Sequence, residues 1–180
     1  MARRDSAPRR FADAAFEIAM RDGTVETWRK ELDWAAETAA TDELQGVLAN
    51  PAIPLDQRLD VAEKVFASLS RPVLNLVLLL LKRGRIEQLP RVAAEFRRLD
   101  DQRNNIVHAT VTSAAPLEAD EVEAIRSRLE GLTGSSVDLE TSVDEGLLGG
   151  VVVRVGDRLI DGSVRGRLER LRNQLAAGAL

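Results

Sequence analysis

The hydrophobic period of the chain changes once, near residue 106, and this change limits the possible folds more than any other feature of the sequence. Up to Asn105, apolar residues recur every three or four positions, which is the spacing of amphipathic helices. From Ile106 onward, Val107, Ala109 and Val111 alternate with polar residues, as in a strand with one buried face. The pattern predicts an α+β protein in which a helical domain precedes a mixed one.

Six helices are predicted over residues 1–105, because each apolar run is bounded by turn or capping residues. The first runs from about Pro8 to Arg21 and ends at Asp22-Gly23. The later helices are expected to start at or near Thr24, Thr41, Pro54, Ser70 and Ile86. A domain of this length with six helices is expected to form a compact six-helix bundle.

Residues 106–180 are predicted to form a small β-α-β-β-α domain. Its expected elements are a strand over Ile106–Ser113, a helix from about Leu117, a strand over Ser136–Val143, a hairpin of Val151–Val155 and Arg158–Ile160, and a helix capped by Ser163. Gly156-Asp157 is a two-residue turn typical of a hairpin, and Gly149-Gly150 is expected to permit a bulge or a close backbone approach. A core this small is marginal, so packing against another protein would stabilise it.

The residues needed for most catalytic and metal chemistry are scarce. The chain has no cysteine, which excludes disulfides, thiolate nucleophiles and Cys-based metal sites, and it has one histidine, His108. His108 lies on the polar face of the first predicted strand with no carboxylate beside it in sequence, and we interpret it as a surface histidine. We expect no catalytic residue, no metal and no cofactor, although an enzyme whose site follows no known motif stays open as an alternative.

Other motif-like features have structural explanations. The acidic residues between Glu118 and Glu123 lie in the first turn of a predicted helix, where the helix dipole favours negative charge. The glycines match neither of the two common phosphate-binding loops. The apolar run Val73–Leu81 is far shorter than the roughly 20 residues that cross a bilayer, so no membrane insertion is expected.

The last predicted helix concentrates positive charge at Arg165, Arg167, Arg170 and Arg172. A small nucleic-acid-binding regulator that uses this helix is an alternative function. However, every Phe and Trp precedes Arg97, so the mixed domain offers no aromatic platform on which bases could stack. The arginines could also form a solvated face, or a basic face that meets an acidic protein partner.

The first helix carries more apolar surface than one contact face requires. Its charged residues from Arg10 to Arg21 share one narrow stripe, which leaves an apolar arc of about 240°. The helix over Val73–Leu81 is apolar around nearly its whole circumference and is expected to be buried on every side. Packed side by side, the two helices would leave an alanine-lined groove suited to an amphipathic helix of another protein. Alternatively, both helices are simply internal.

Four sequence segments then point to a family. The most specific is GGVVVRVGDRLIDGSVRGRLERL from Gly149 to Leu171; the others are RRFADAAFEIA at Arg9–Ala19, Asn50-Pro51, and RGRIEQLP at Arg83–Pro90. Over nearly its whole length the chain resembles the delta subunits of bacterial F-type ATP synthases, whose mitochondrial counterpart is the oligomycin-sensitivity-conferring protein. One departure is Phe11, where the family pattern leads us to expect a tyrosine.

The resemblance implies a non-catalytic stator subunit that holds the catalytic head against rotor torque during ATP synthesis. The family's helical domain binds N-terminal helices of the alpha subunits, and its mixed domain meets the C-terminal end of the b subunit in the peripheral stalk. A peripheral location on the cytoplasmic face of the bacterial plasma membrane follows from that role, with no nucleic acid as partner.

Two sets of candidate binding residues result. For alpha-subunit docking we expect Phe11, Ala14, Ala15 and Ile18, with Leu76, Leu79 and Leu80 from the facing helix. For the stalk contact the candidate segment is Val151 to Leu175, in particular Arg165, Arg167, Leu168, Leu171 and Arg172.

Overall fold

In the computed structural model the chain forms two compact units, and the division between them falls between Asp100 and Asp101. The structure describes residues 7–156 and 158–177. Each unit has its own hydrophobic core. Helices precede a four-stranded sheet, which confirms the predicted α+β class.

Six α-helices precede the sheet in the described chain: α1 (Ala7–Arg21), α2 (Val25–Ala39), α3 (Asp42–Leu48), α4 (Leu55–Val65), α5 (Arg71–Lys82) and α6 (Leu89–Arg103). A single turn of 3-10 helix at Ile86–Gln88 precedes α6, so the last helix starts later than the apolar spacing predicts. Gly23 follows α1 with a φ of 67° and Gly84 follows α5 with a φ of 62°. The left-handed backbone conformation ends the two helices. Glycine adopts it readily because it has no side chain.

Three of the predicted helix-capping residues precede their helices but do not cap them through their side chains. Thr24, Thr41 and Ser70 make no side-chain capping hydrogen bond. The backbone N–H and the hydroxyl of Ser70 both donate to the carboxylate of Glu31, at 3.0 and 2.6 Å. Ser70 therefore links the start of α5 to α2, a tertiary contact that capping statistics do not predict.

The core of the first unit is built on aromatic rings and small residues. Trp28 stacks on Phe96 with ring centroids 6.0 Å apart, and Phe16 meets the same ring edge-on at 5.3 Å. From α1, the alanines at positions 12, 15 and 19 are buried in this core. Alanine leaves room for close helix approach, so α1 packs tightly through one face and leaves its flanks for other contacts.

The second unit contains β1 (Ile106–Ser113), α7 (Ala119–Thr133), β2 (Ser136–Val143), β3 (Val151–Val155), β4 (Arg158–Asp161) and α8 (Val164–Ala177). The predicted β-α-β-β-α layout is therefore wrong by one strand, because the last hairpin contributes two strands to the sheet. The strand order is β2-β1-β3-β4, with β1 parallel to β2 and antiparallel to β3. In the predicted turn, Gly156 has a φ of 55°, and Asp157 lies outside the described residues.

Helix α7 covers one face of the sheet. Ala109, Val111, Val137 and Val153 are buried on this face and pack with Leu129 of α7. The alternation predicted for β1 is thus confirmed. The opposite face carries polar residues of β1 and Arg154 of β3.

The close backbone approach expected at Gly149-Gly150 occurs at Gly150. A Cβ placed on Gly150 would lie 2.6 Å from the carbonyl oxygen of Gly162, and the φ of Gly150 is 79°. A side chain would therefore collide with the backbone and would also hold a disfavoured conformation.

We predict that Gly150→Ala lowers the free energy of unfolding of the second unit by about 2 kcal/mol or more, from backbone strain and the collision together. Gly156→Ala is the matched control, because Gly156 also has a positive φ, but among the described residues nothing apart from its chain neighbours lies within 4 Å of the new Cβ. Urea unfolding followed by circular dichroism, with hydrogen exchange to locate the effect in the strands, measures both. Equal losses in the two variants would show that the close approach at Gly150 is unimportant.

Candidate protein-binding surfaces

An open cavity of about 480 Å³ lies between α1 and α5 and the turn that follows α5. Its lining residues are Ala7, Arg10, Phe11, Ala14, Leu79, Arg83 and Arg85, and we call this cavity the α1/α5 groove. Leu79 is 40% exposed although it belongs to the most apolar helix of the chain. The prediction that this helix is buried on every side is therefore wrong.

The position of each α1 residue on the helix explains the groove. Ala7, Phe11, Ala14 and Ile18 are spaced by four, three and four residues, so they form one stripe along α1. This stripe lies next to the buried alanine face, because each member is close to it in helical angle. Ile18 is 38% exposed and extends the stripe past the lining residues.

Not all of the predicted docking residues are available for docking. Phe11, Ala14 and Leu79 line the groove. In contrast, Ala15, Leu76 and Leu80 are buried in the core of the first unit, so a docked helix could not contact them directly. The 240° apolar arc could not distinguish the groove-lining residues from the buried ones, because both the inward and the outward face of α1 are apolar.

The groove is also lined by three arginines that the sequence did not predict as docking residues: Arg10, Arg83 and Arg85. We call them the arginine rim. No acidic side chain belongs to the described residues that line the cavity. A signal existed: RGR directly follows the apolar helix, and Arg10 precedes Phe11.

Helix α8 is the second candidate surface. Between Val164 and Leu175 the only buried residue is Gly166. All five residues predicted for the stalk contact are exposed: Arg165, Arg167, Leu168, Leu171 and Arg172. Leu168 is 58% exposed and Leu175 is 68% exposed. Burial of leucine side chains is worth about 1.5–3 kcal/mol each, so this exposed set is a surface at which a partner could bind favourably.

The segment DGSVRG fixes the start of α8. The backbone N–H of Ser163 donates to the Asp161 carboxylate at 2.8 Å, and the Ser163 hydroxyl accepts from the N–H of Gly166 at 3.0 Å. The predicted capping by Ser163 is confirmed. The hydrogen bond from the Ser163 side chain is the main cause that lowers the pKa of Asp161, with its backbone N–H second, so this carboxyl stays charged. A Cβ on Gly166 would overlap that carboxylate.

His108 and the Asp100-Asp101 pair have structural roles. The two ring nitrogens of His108 lie 2.8 Å from Asp101 and 3.2 Å from Asp138. The histidine is exposed as predicted, but it has two carboxylate partners that the sequence did not indicate. In the first unit, Asp100 is buried and paired with Arg29 at 3.1 Å. We interpret both sets of contacts as structural: the Asp100–Arg29 pair lies within the first unit, and His108 joins Asp101 to Asp138.

Residues 7–156 and 158–177 contain neither a metal-binding cluster nor a membrane-spanning helix. No group of three or more His, Cys, Asp or Glu side chains is arranged to hold a metal ion. None of the helices there is long and apolar enough to span a bilayer. The acidic start of α7 forms a capping box between Glu118 and Glu121, which agrees with its interpretation as a helix N-terminus.

Comparison with known proteins places these surfaces in context. The profile of the family described as "ATP synthase delta (OSCP) subunit" matches residues 7–175. "ATP synthase subunit delta" of Geobacter sp. (strain M21) is 37% identical over 173 residues, which cover 94% of this chain and 96% of the relative. The protein of the same name from Anaeromyxobacter dehalogenans (strain 2CP-C) is 41% identical over 173 residues, with 94% and 97% covered.

A solved structure is similar over the same extent. A chain of the Toxoplasma gondii mitochondrial ATP synthase hexamer superposes with a TM-score of 0.64 at 25% sequence identity. The match covers 94% of this chain and 97% of that chain. The likeness therefore includes both units and is not confined to one of them.

Proposed function

Because this chain belongs to the ATP synthase delta (OSCP) subunit family, we propose that its two candidate surfaces are the two ends of a stator link. As a member of that family it is a structural stator component of an F-type ATP synthase and not its catalytic subunit. In the proposal, the α1/α5 groove binds the N-terminal helix of an alpha subunit, and α8 binds the C-terminal end of the b subunit. The complex would place the chain on the cytoplasmic face of the plasma membrane.

The observation that carries the proposal is the apolar lining of the α1/α5 groove, which is open in the described part of the chain. Phe11 and Ala14 of α1 and Leu79 of α5 line it, and the small side chain of Ala14 leaves space for a close approach. An amphipathic helix inserts apolar residues at three- and four-residue spacing into such a groove.

The physical demand on a stator agrees with this kind of contact. A link under torque must dissociate slowly, and differences in affinity arise mostly from dissociation rates. Burial of apolar surface contributes roughly 25 cal/mol per Å². An exposed ion pair contributes about 0–1 kcal/mol. Apolar docking in the groove therefore supplies the stability of the link.

The second docking surface rests on the exposure of α8. The described part of the chain covers none of the leucines at 168, 171 and 175. A stator needs a second attachment, and this is the largest set of exposed leucines on one helix of the described chain. The comparisons give no support to the nucleic-acid alternative for the same helix.

Depletion and return of the subunit test the proposal. Inverted membrane vesicles stripped of this subunit are expected to lose respiration-driven ATP synthesis, and the purified full chain is expected to restore it. A variant with acidic residues in the groove serves as the negative control. ATP synthesis that continues at the original rate without the subunit would contradict a stator role.

A further inference from the structure

We propose that α8 is one helix of a short two-helix coiled coil. The partner helix is acidic at the positions that flank its apolar seam. The inference rests on the proposed docking of α8 on the stalk and adds the chemistry of the helix that binds there. We call Val164, Leu168, Leu171 and Leu175 the α8 seam.

The spacing of the α8 seam is that of a heptad repeat. Its residues are separated by four, three and four positions, which are the a and d positions of a coiled coil. Each of the four side chains is between 45% and 68% exposed. The seam is therefore complete in sequence; Val164 lies beside Gly149, and the three leucines are each more than half exposed in the described chain.

The attachment of α8 to its own unit leaves the seam facing outward. Gly166, the buried position of the helix, lies about 200° around the helix axis from Val164. Arg170 donates to the backbone carbonyl of Asp161 at 3.2 Å from the same side. Because α8 is attached to its unit through the side that carries Gly166 and Arg170, the leucines lie on the opposite, exposed side of the helix.

A helix in this state needs a partner. A single helix of 12–15 residues is marginally stable in water, and α8 has 14 residues. Most helical stability in proteins comes from packing of the apolar face. In α8 this face is largely exposed within the described chain. A second helix with its own a and d residues supplies that cover by knobs-into-holes packing.

Arginines on both sides of the seam define the charge of the partner. Arg165 and Arg172 lie on one flank and Arg167 lies on the other, at the e and g positions of the heptad. The side chains of these three arginines make no hydrogen bond or ion pair with any residue that the structure describes. Glutamates at the e and g positions of a partner would pair with them.

The same charges exclude a second copy of α8 as the partner. Two copies would bring arginines together at the flanking positions, and like charges there disfavour pairing. The acidic residue of the helix, Glu169, lies within one turn of Arg165 and Arg172, but one carboxylate cannot balance the arginines on both flanks. An acidic amphipathic helix is therefore the occupant that the seam selects.

Two synthetic heptad peptides test the inference with the full chain. Both carry leucine at a and d; one has glutamate at every e and g position and the other has lysine. We expect the glutamate peptide to bind at least about 10-fold more tightly by fluorescence anisotropy, with the difference shrinking in high salt. Equal binding of the two peptides, or tighter binding of the lysine peptide, overturns the inference.

A charge-reversed variant gives the second readout. Arg165→Glu/Arg167→Glu/Arg172→Glu is expected to prefer the lysine peptide, a reversal that loss of folding cannot produce. Arg128→Glu is the control, because Arg128 is an exposed arginine of α7. An unchanged preference in the triple variant overturns the inference.

Binding of the soluble b-subunit segment separates this inference from the proposed function. If the wild-type chain and the triple variant bind that segment equally, stalk docking stands and the acidic seam is overturned. If the wild-type chain binds the glutamate peptide but not the b segment, the seam is supported and the stalk docking of α8 falls.

Discussion

Ala14→Asp is expected to weaken binding of an alpha-subunit N-terminal peptide to the full chain by about 100-fold, which corresponds to about 2.7 kcal/mol. Ala14 lines the α1/α5 groove together with Phe11 and Leu79, so a docked helix would cover the new carboxylate. Burial of a charge without an ideal partner opposes binding.

The free protein is expected to fold normally, because Ala14 is exposed and aspartate in a helix costs less than about 0.7 kcal/mol relative to alanine. Ala67→Asp is the matched control, since Ala67 is an exposed alanine of the same unit that does not line the groove. Isothermal titration calorimetry measures both affinities. Unchanged affinity in Ala14→Asp would move the alpha site away from this groove.

Leu168→Asp combined with Leu171→Asp is expected to reduce respiration-driven ATP synthesis in reconstituted vesicles to below about a tenth of the wild-type rate. Two carboxylates at the centre of the α8 seam would each be buried by the stalk helix, and a buried unpaired charge costs several kcal/mol. The head would then turn with the rotor. ATP hydrolysis by the detached head is expected to be unchanged, because the subunit is not catalytic.

The fold of the double variant is expected to survive, since both leucines are more than half exposed. Asn173→Asp is the control, because it adds a carboxylate to the same helix at a position opposite the seam. Full ATP synthesis by the double variant would exclude α8 as the stalk contact.

Sequence patterns predicted those features of the fold that depend on neighbouring residues. The change of period near Ile106 follows from which faces are buried, and the alternation in β1 is visible without any knowledge of its partners. The close approach at Gly150 was indicated by two adjacent glycines before a strand. The predicted layout had one strand too few only because the two strands of the hairpin were counted as one element.

Features that depend on contacts between distant residues could not be predicted in the same way. His108 meets Asp138 because β1 and β2 pair in a parallel register, which no local pattern encodes. Ser70 binds Glu31 of another helix instead of capping its own. Ala14 and Ala15 have the same side chain and adjacent positions, yet one lines the groove and the other lies in the core.

The most direct test of the central claim is a site-specific crosslink in the assembled complex. A photoreactive phenylalanine analogue at Phe11 of the full chain is expected to crosslink to the N-terminal segment of an alpha subunit, whereas the same analogue at Ala67 is not. A crosslink from Phe11 to another subunit, or no crosslink to alpha from either position, would contradict docking of the alpha helix in the α1/α5 groove.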